Sequence, residues 1–292
     1  MQLVFDNIST DRVKINTGKD IEIAVLRLDK IHPVISGNKW FKLQYYLKEV
    51  KEQGKKKVVT FGGAYSNHIV ATAAACRMND ISSAGIIRGE EPAVWSSTLL
   101  QAKQYGMQLH FISRSDYAEK KIPVSLQNTE NYFINEGGFG QKGAEGASAI
   151  LHYVKDDFTH YCCAVGTGTM MAGLISGISP HQQVIGAAVM KNNYALNENV
   201  RSLLHNETGN WQIIHDYHFG GYAKHKPELI AFMNEFYSET GIPSDFVYTG
   251  KLFYAITGLL AHNFFPAGSR LLLIHSGGLQ GNNSLEKGTL IF

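Results

Sequence analysis

The sequence has few cysteines and no apolar run of membrane-spanning character. Its three cysteines, Cys76, Cys162 and Cys163, form neither a disulfide framework nor a zinc-ligand spacing, which suggests a reducing compartment. One uncharged stretch, residues 161–178, is rich in glycine and threonine. It falls short of the ~20 strongly apolar residues that a transmembrane helix needs. We therefore expect no membrane segment.

The net charge of the chain is also small. The 27 basic and 25 acidic residues give a formal net charge of +2, and both signs are spread along the chain, so nothing indicates a nucleic-acid partner. Hydrophobic residues make up 44% and charged residues 18%, which excludes disordered, collagen-like and coiled-coil classes. Asp6 precedes any apolar run of the kind that a signal peptide carries, so we expect a cytoplasmic protein.

Short apolar segments alternate with segments of helical period along most of the 292 residues. The period is clearest in residues 40–50 and 229–236, whose apolar stripes we assign to core packing. Continuous apolar strands separated by helices are typical of parallel sheets covered on both faces. The length favours two domains, and the lack of a linker favours insertion of one into the other. Strands are predicted at residues 58–61, 84–87, 109–112, 132–134, 160–165, 184–189 and 271–274.

Glycine-rich turns follow four of these strands, at residues 62–68, 137–138, 166–169 and 275–278. Each alone could be a tight connection, but open parallel sheets bind ligands at such turns. The turn 166–169 opens a helix and offers free amides and two threonine hydroxyls, which suit an anion. Met171 replaces the third glycine of a dinucleotide fingerprint, and the lysine ending of a Walker A loop is missing. A phosphate monoester therefore fits this turn better than a dinucleotide.

Lys39 begins the first periodic helix, between glycine-containing residues 36–38 and the aromatic pair Trp40 and Phe41. Taken alone it could be an ordinary surface lysine. A helix N-terminus and apolar neighbours both lower the pKa of a lysine and favour the free amine that forms Schiff bases. An activated lysine and a phosphate site on an α/β scaffold together suggest pyridoxal 5'-phosphate.

Six motifs in this sequence resemble those of the 1-aminocyclopropane-1-carboxylate deaminase and D-cysteine desulfhydrase family. That family belongs to the tryptophan-synthase-β-like enzymes, which are pyridoxal-phosphate enzymes of fold type II. Each motif is weak alone, but together they follow the family's order from about residue 30 to residue 280. The motifs are Ser36–Lys39 with Lys42 and Leu43, Gly62–His68, Gly137 and Gly138, Gly166–Thr169 with Ala172 and Gly173, Val247–Lys251, and Ile274–Gly278.

The resemblance implies a fold of two three-layer α/β domains with parallel-rich sheets and the cofactor in the cleft between them. Residues 42–150 would form a smaller domain inserted into a large cofactor-binding domain of residues 1–41 and 151–292. The resemblance also implies a homodimer and a small amino-acid substrate. It gives no reason to expect a nucleic-acid or membrane partner.

The resemblance assigns the cofactor contacts. Lys39 would hold pyridoxal phosphate as a Schiff base and later move protons at the substrate α-carbon. Asn67 would hydrogen-bond the 3'-oxygen of the pyridine ring. The 5'-phosphate would lie in the turn after the strand at residues 160–165, on Gly166, Thr167, Gly168 and Thr169.

The resemblance also assigns the substrate contacts. Ser66 and the amides of Asn67 and His68 would receive the carboxylate. Ser66 and Asn67 could also cap the following helix, which is compatible with substrate binding because the same amides serve both. Tyr248 would face the reacting substrate, unless it is a buried aromatic at a strand end, and Tyr222 aligns loosely with a second such tyrosine. His68, His215 and His218 have no metal-ligand spacing, so no metal site is predicted.

Two positions bear on the reaction. Cyclopropane deaminases of this family carry Glu and Leu where this sequence has Thr249 and Ser276. A carboxylate near the pyridine nitrogen would deepen the electron sink that ring opening needs, and two hydroxyls would not. We therefore predict that Thr249 and Ser276 contact the cofactor and that the enzyme catalyses β-elimination from D-cysteine, or a related β-substituted amino acid, to pyruvate, ammonia and sulfide.

Two alternatives remain open at this point. One is 1-aminocyclopropane-1-carboxylate deamination, which gives 2-oxobutanoate and ammonia. The other is a non-catalytic or dinucleotide-binding protein that uses the turn Gly166–Thr169. The second alternative gives Lys39 no role, and no acidic residue follows the next predicted strand, where a dinucleotide site would need one.

Overall fold

The computed structural model describes residues 2–15, 19–205 and 210–292. Within these ranges the strands are β1 Thr10–Val13, β2 Glu22–Arg27, β3 Lys57–Gly62, β4 Ser82–Arg88, β5 Gln108–Ile112, β6 Asn131–Ile134, β7 His160–Val165, β8 Gln183–Ala188, β9 Asn210–Ile214 and β10 Arg270–His275. The α-helices are α1 Asn38–Glu52, α2 Asn67–Met78, α3 Ser97–Gln104, α4 Arg114–Ala118, α5 Gln141–Ser148, α6 Thr169–Gly177, α7 Leu196–Arg201, α8 Pro227–Thr240 and α9 Thr249–Ala261. Short 3₁₀ helices span Phe5–Asn7, Leu28–Ile31, Val124–Leu126, Glu136–Gly138, Ala149–Tyr153 and Leu279–Ser284.

The strands form two sheets. The larger has the order β1-β2-β10-β7-β8-β9, in which β1 is antiparallel to β2 and all other neighbours are parallel. The smaller has the order β5-β4-β3-β6 and is parallel throughout. In each sheet the carboxyl ends of the parallel strands lie at one edge. The turns after β7 and β10 therefore lie at the same edge of the larger sheet, and the turn after β3 lies at the corresponding edge of the smaller sheet.

Helices cover both faces of each sheet. On the large sheet, α5 and α6 pack against one face and α8 and α9 against the other, because successive strand residues alternate between two separate cores. On the small sheet, α2 and α3 cover one face, and Tyr117 of α4 and Leu126 cover the other. The prediction of two three-layer α/β units with parallel-rich sheets is confirmed.

The predicted helical stripes are core-facing. Leu43, Leu47 and Val50 of α1 are buried, as are Leu229 and Phe236 of α8. Helix α1 contacts both cores, because Phe41 packs with the large sheet and Leu43 with the small one. The domain bounds at residues 41/42 and 150/151 therefore stay a prediction.

Helices of the described residues are too short or too polar to cross a lipid bilayer. Cys76, Cys162 and Cys163 are free thiols in the interior, and the last two lie on the buried strand β7.

Candidate active site

A cavity of about 580 Å³ opens where the turns after β3, β7 and β10 meet. Its volume suits a cofactor with a small substrate. Most of the predicted site residues lie in its wall, but Asn67 and Thr249 are not among the residues that line it. The predicted residues in the wall are Lys39, Ser66, His68, Gly166, Thr167, Gly168, Thr169, Tyr222, Tyr248 and Ser276.

Lys39 is the second residue of α1 and is only partly exposed to the cavity. Its Nζ donates to Asn38 Oδ1 at 2.7 Å and lies 5.5 Å from the centre of the Tyr248 ring. Burial lowers the pKa of this amine to about 8, although the Asp245 carboxylate opposes the shift. The predicted direction of the shift is confirmed, but the aromatic neighbour is Tyr248 and not the predicted flanking pair, which packs against Phe5.

Gly37 allows α1 to begin against the turn that follows β10. Its φ is +62°, and a Cβ there would lie 1.9 Å from the carbonyl oxygen of Ser276. The next amide, that of Asn38, donates to the same oxygen at 3.2 Å. This close backbone contact brings the amine of Lys39 and the hydroxyl of Ser276 to one cavity.

Ser66 precedes the first residue of α2 and fits a carboxylate site. Its hydroxyl accepts no hydrogen bond from the helix, although a serine at this position usually caps. The first amides of a helix, here those of Asn67 and His68, have no acceptor within the helix. A hydroxyl and two amides therefore point to the carboxyl end of β3, where an anion would satisfy them.

The phosphate end of the cavity is built by the turn after β7. Thr167 Oγ1 and Thr169 Oγ1 lie 2.9 Å apart at the start of α6, and Gly168 takes a φ of +88° between them. Gly137, at φ +67°, lies so close that a Cβ would be 2.8 Å from a methyl group of Thr167. Two turns thus enclose a space lined by helix amides and hydroxyls.

Lys42 is a further residue of this site that the sequence analysis did not assign. It lies one turn after Lys39 on α1, is 5% exposed, and lines the cavity. Its Nζ has no hydrogen bond or ion pair with any described residue, and burial, together with the Lys39 charge, holds its pKa well below the usual value. An anion bound beside this amine would favour its charged form again. The spacing i, i+3 from Lys39 could have indicated a shared helix face.

Two buried polar atoms beside the cavity also lack partners. Asn67 Oδ1 and His68 Nδ1 make no hydrogen bond with the described residues, while His68 Nε2 lies 2.9 Å from the hydroxyl of Thr60. Burial and the nearby Lys42 and Lys39 hold the pKa of His68 well below its ordinary value. Together with Lys42 and the turn at Thr167, these atoms fit a small ring compound that carries polar substituents and a phosphate.

Tyr222 and Tyr248 lie together above Lys39. Tyr248 Oη donates to Tyr222 Oη at 3.5 Å, and the ring centres are 6.0 Å apart at an interplanar angle of 71°. Burial raises the pKa of both phenols, so both keep their protons at neutral pH. Tyr222, which aligns only loosely with a family tyrosine, therefore lies beside Tyr248, which aligns better.

Asp245 is a buried carboxylate that the sequence analysis missed. Its Oδ2 accepts from the amides of Val247 and Tyr248, and its Oδ1 from the amide and hydroxyl of Thr249. Thr249 Oγ1 also accepts from the Asp245 amide, so both groups are fully engaged at the start of α9. The predicted contacts of Thr249 and Asn67 with the cofactor therefore stay predictions. The carboxylate four residues before a helical threonine resembles a cap and could have indicated this arrangement.

His215 and His218 lie outside the cavity wall. Across the described ranges, no three His, Cys, Asp or Glu side chains are grouped closely enough to hold a metal ion.

Comparison with known proteins identifies the family. Residues 12–277 match the model of the family described as pyridoxal-phosphate dependent enzyme. A protein of Thermotoga maritima named putative 1-aminocyclopropane-1-carboxylate deaminase is 32% identical, with 89% of each chain covered. An Arabidopsis thaliana protein named bifunctional D-cysteine desulfhydrase/1-aminocyclopropane-1-carboxylate deaminase, mitochondrial, is 29% identical over 89% of this chain and 73% of its own.

A solved structure described as that of an ACC deaminase homologue has the same fold. It superimposes with a TM-score of 0.84 at 23% identity, over 97% of this chain and 92% of the other. The family match disfavours the alternative of a dinucleotide-binding protein. The chain belongs to the pyridoxal-phosphate-dependent enzymes of fold type II, in the group related to 1-aminocyclopropane-1-carboxylate deaminase and D-cysteine desulfhydrase.

Proposed function

We propose that this enzyme catalyses β-elimination from D-cysteine, or a closely related β-substituted amino acid, and releases pyruvate, ammonia and sulfide. The observation that carries the proposal is the amine of Lys39, whose pKa is about 8, beside the unused hydroxyl of Ser66 and the two tyrosines. The Arabidopsis relative is named for both candidate activities, so the relatives' names alone do not separate them.

Different residues of the cavity would bind the cofactor phosphate and the substrate carboxylate. Bound pyridoxal phosphate supplies an aldehyde that takes up an amine and an electron sink for the substrate α-carbon. The turn Gly166–Thr169 and the ammonium of Lys42 would bind its phosphate, which gives Lys42 the anion it lacks. Ser66 and the first amides of α2 would hold the substrate carboxylate and so fix which substrate bonds face Lys39.

Lys39 and the tyrosines would move the protons. A pKa of about 8, against an ordinary 10.5, leaves a useful share of Lys39 uncharged near neutral pH, so its Nζ can accept the α-proton. The phenols of Tyr248 and Tyr222 carry their protons at neutral pH, and either could donate to the sulfur that leaves the β-carbon. The released 2-aminoacrylate takes up water in its imine form and gives pyruvate and ammonia.

Two residue positions support our proposal of elimination over ring opening. Ser276 lines the cavity and its hydroxyl has no hydrogen bond with the described residues. The oxygens of Asp245 accept from amides and from Thr249. Glu136 is the carboxylate in the described wall, next to the phosphate-side turn at Gly137. Thr249 and Ser276 replace the Glu and Leu that the family's cyclopropane deaminases carry, so the carboxylate that would deepen the electron sink is missing at position 249.

A substrate panel tests the proposal. The holoenzyme should release pyruvate and sulfide from D-cysteine and little 2-oxobutanoate from 1-aminocyclopropane-1-carboxylate, with L-cysteine and D-serine as further arms. Lys39→Ala should lose the reaction, whereas Lys48→Ala, which changes an exposed lysine of the same helix, should keep it. Turnover of the cyclopropane substrate with D-cysteine untouched would assign the deaminase activity instead.

We also propose a cytoplasmic homodimer, which the resemblance and the buried free thiols support. Light scattering coupled to size-exclusion chromatography should give twice the 32.3 kDa chain mass. A single-chain mass at micromolar concentration would refute the dimer.

A further inference from the structure

Lys251 is a buried lysine that the reaction described above does not use. Its side chain is 0% exposed, and its Nζ donates to three backbone carbonyls: Gly221 at 2.7 Å, His218 at 2.9 Å and Val189 at 3.4 Å. An ammonium group has three protons, so each finds an acceptor. No carboxylate forms an ion pair with it among the described residues, so these carbonyl oxygens are its direct partners. Burial lowers the pKa of the amine to about 8, and the more distant Asp245 carboxylate opposes that shift.

Two of these carbonyls belong to the irregular segment that carries Tyr222. Around that tyrosine, the backbone φ angles are +53° at Phe219, +95° at Gly220, +120° at Gly221 and +51° at Ala223. Left-handed backbone is unfavourable for residues with side chains, so such a segment persists only when its surroundings hold it. The third carbonyl, at Val189, ties the same ammonium to the end of β8.

Helix α9 connects this anchor to the other tyrosine. Tyr248 immediately precedes α9 and Lys251 lies one turn later, so the helix sets the distance between them. Phe219 packs edge-on against Tyr254 of the same helix, with ring centres 4.9 Å apart. One rigid element therefore contacts both sides of the tyrosine pair.

We propose that Lys251 is a positioning residue whose ammonium holds the backbone of residues 218–221 on α9 and thereby places Tyr222 Oη against Tyr248 Oη. The inference rests on the proposed function for the role of the tyrosines in turnover, but not for the anchoring itself. Removal of the ammonium would leave three carbonyl oxygens facing one another, and the segment would relax from its left-handed conformation.

Hydrogen–deuterium exchange tests the anchoring without any assay of activity. Lys251→Met removes the charge and keeps the length of the side chain, and Lys251→Ala also empties the space. Both variants should exchange the amides of residues 218–223 faster than the unchanged protein. Lys226→Met is the matched control, because that lysine is exposed nearby and pairs with Glu228 at 3.6 Å. Unchanged exchange of the segment in both Lys251 variants would overturn the inference, even if the enzyme proved to have another substrate.

Kinetics test whether the anchor acts through Tyr222. Misplacement of a reacting group by about 1 Å costs roughly 100-fold, so kcat of Lys251→Met should fall about 10- to 100-fold while KM changes little. In a Tyr222→Phe background the same change should cost less than about twofold further, because both variants then disturb one unit. If the double variant lost kcat by the product of the two single-variant losses, the positioning role would be contradicted.

Chemical rescue by a small cation provides a third test of the anchoring. Methylammonium chloride should restore part of kcat and slow the exchange of residues 218–223 in Lys251→Ala, because the emptied space keeps its three carbonyl oxygens. It should leave Lys251→Met unchanged, since the methionine fills the space, and sodium chloride at equal ionic strength serves as control. Loss of kcat in Lys251→Ala that methylammonium leaves unrepaired would refute the proposal.

Discussion

Lys42 shows how a single residue can reveal the chemistry of a cavity. A buried ammonium with no partner among the described residues is unfavourable, and its pKa is held low by burial and by Lys39. An anion that binds beside Lys42 lowers the cost of burying its charge and raises its pKa again. Lys42 therefore contributes to cofactor binding only when the cofactor carries a phosphate. Sequence motifs placed Lys42 near Lys39, but its lack of a partner depends on burial that the sequence does not show.

Lys42→Met should weaken the binding of pyridoxal phosphate but not of pyridoxal. A hydrogen bond to a charged group contributes about 1.5–3 kcal/mol, so the dissociation constant of the phosphorylated cofactor should rise roughly 10- to 100-fold. Absorbance titration of the apoprotein measures both ligands. Equal weakening of the two would show that Lys42 does not contact the phosphate.

The pKa of Lys39 predicts how cofactor capture depends on pH. Burial lowers this pKa to about 8, and only the uncharged amine attacks an aldehyde. The rate of capture by the apoprotein should therefore rise with pH and level off above about pH 8, instead of rising toward 10.5. Stopped-flow absorbance at matched ionic strength measures the rate. A rate that keeps rising through pH 9 would contradict the buried setting of the amine.

Secondary-structure elements were predictable where their period was strong. The stripes of α1 and α8 and the buried strands β3, β4, β7, β8 and β10 follow from apolar patterns. Three strands were missed. The charged pair Asp11 and Arg12 obscures β1, and β9 is a half-buried edge strand with a weak pattern. The apolar run of β2 could have been predicted, because it has the same character as the strands that were.

Gly37 is the position where the placement of one element is most sensitive. Gly37→Ala should destabilise the fold by more than the roughly 1–3 kcal/mol of left-handed strain, because its Cβ would also meet the Ser276 carbonyl at 1.9 Å. Gly54→Ala is a matched control, since Gly54 has the same φ of +62° with open space around it. Urea denaturation should show the larger loss for Gly37→Ala, along with poorer cofactor capture. Equal losses would mean that the contact does not position α1.

At the scale of the whole molecule, the active site depends on residues remote in sequence. The turns after β3, β7 and β10 belong to two sheets, yet they line one cavity, and α1 packs against the cores of both sheets. The resemblance brought together Lys39, Ser66 and the turn Gly166–Thr169, because family motifs record such proximity indirectly. Asp245 and Lys251 were not found, because their roles lie in hydrogen bonds to backbone groups.

The central claim is that Lys39 carries pyridoxal phosphate in this cavity. The most direct test is to incubate the protein with pyridoxal phosphate, reduce with borohydride, and map the modified peptide by mass spectrometry. The account predicts stoichiometric modification of Lys39, with the neighbouring Lys42 unmodified. Modification confined to another lysine, or a protein that takes up no cofactor, would contradict it.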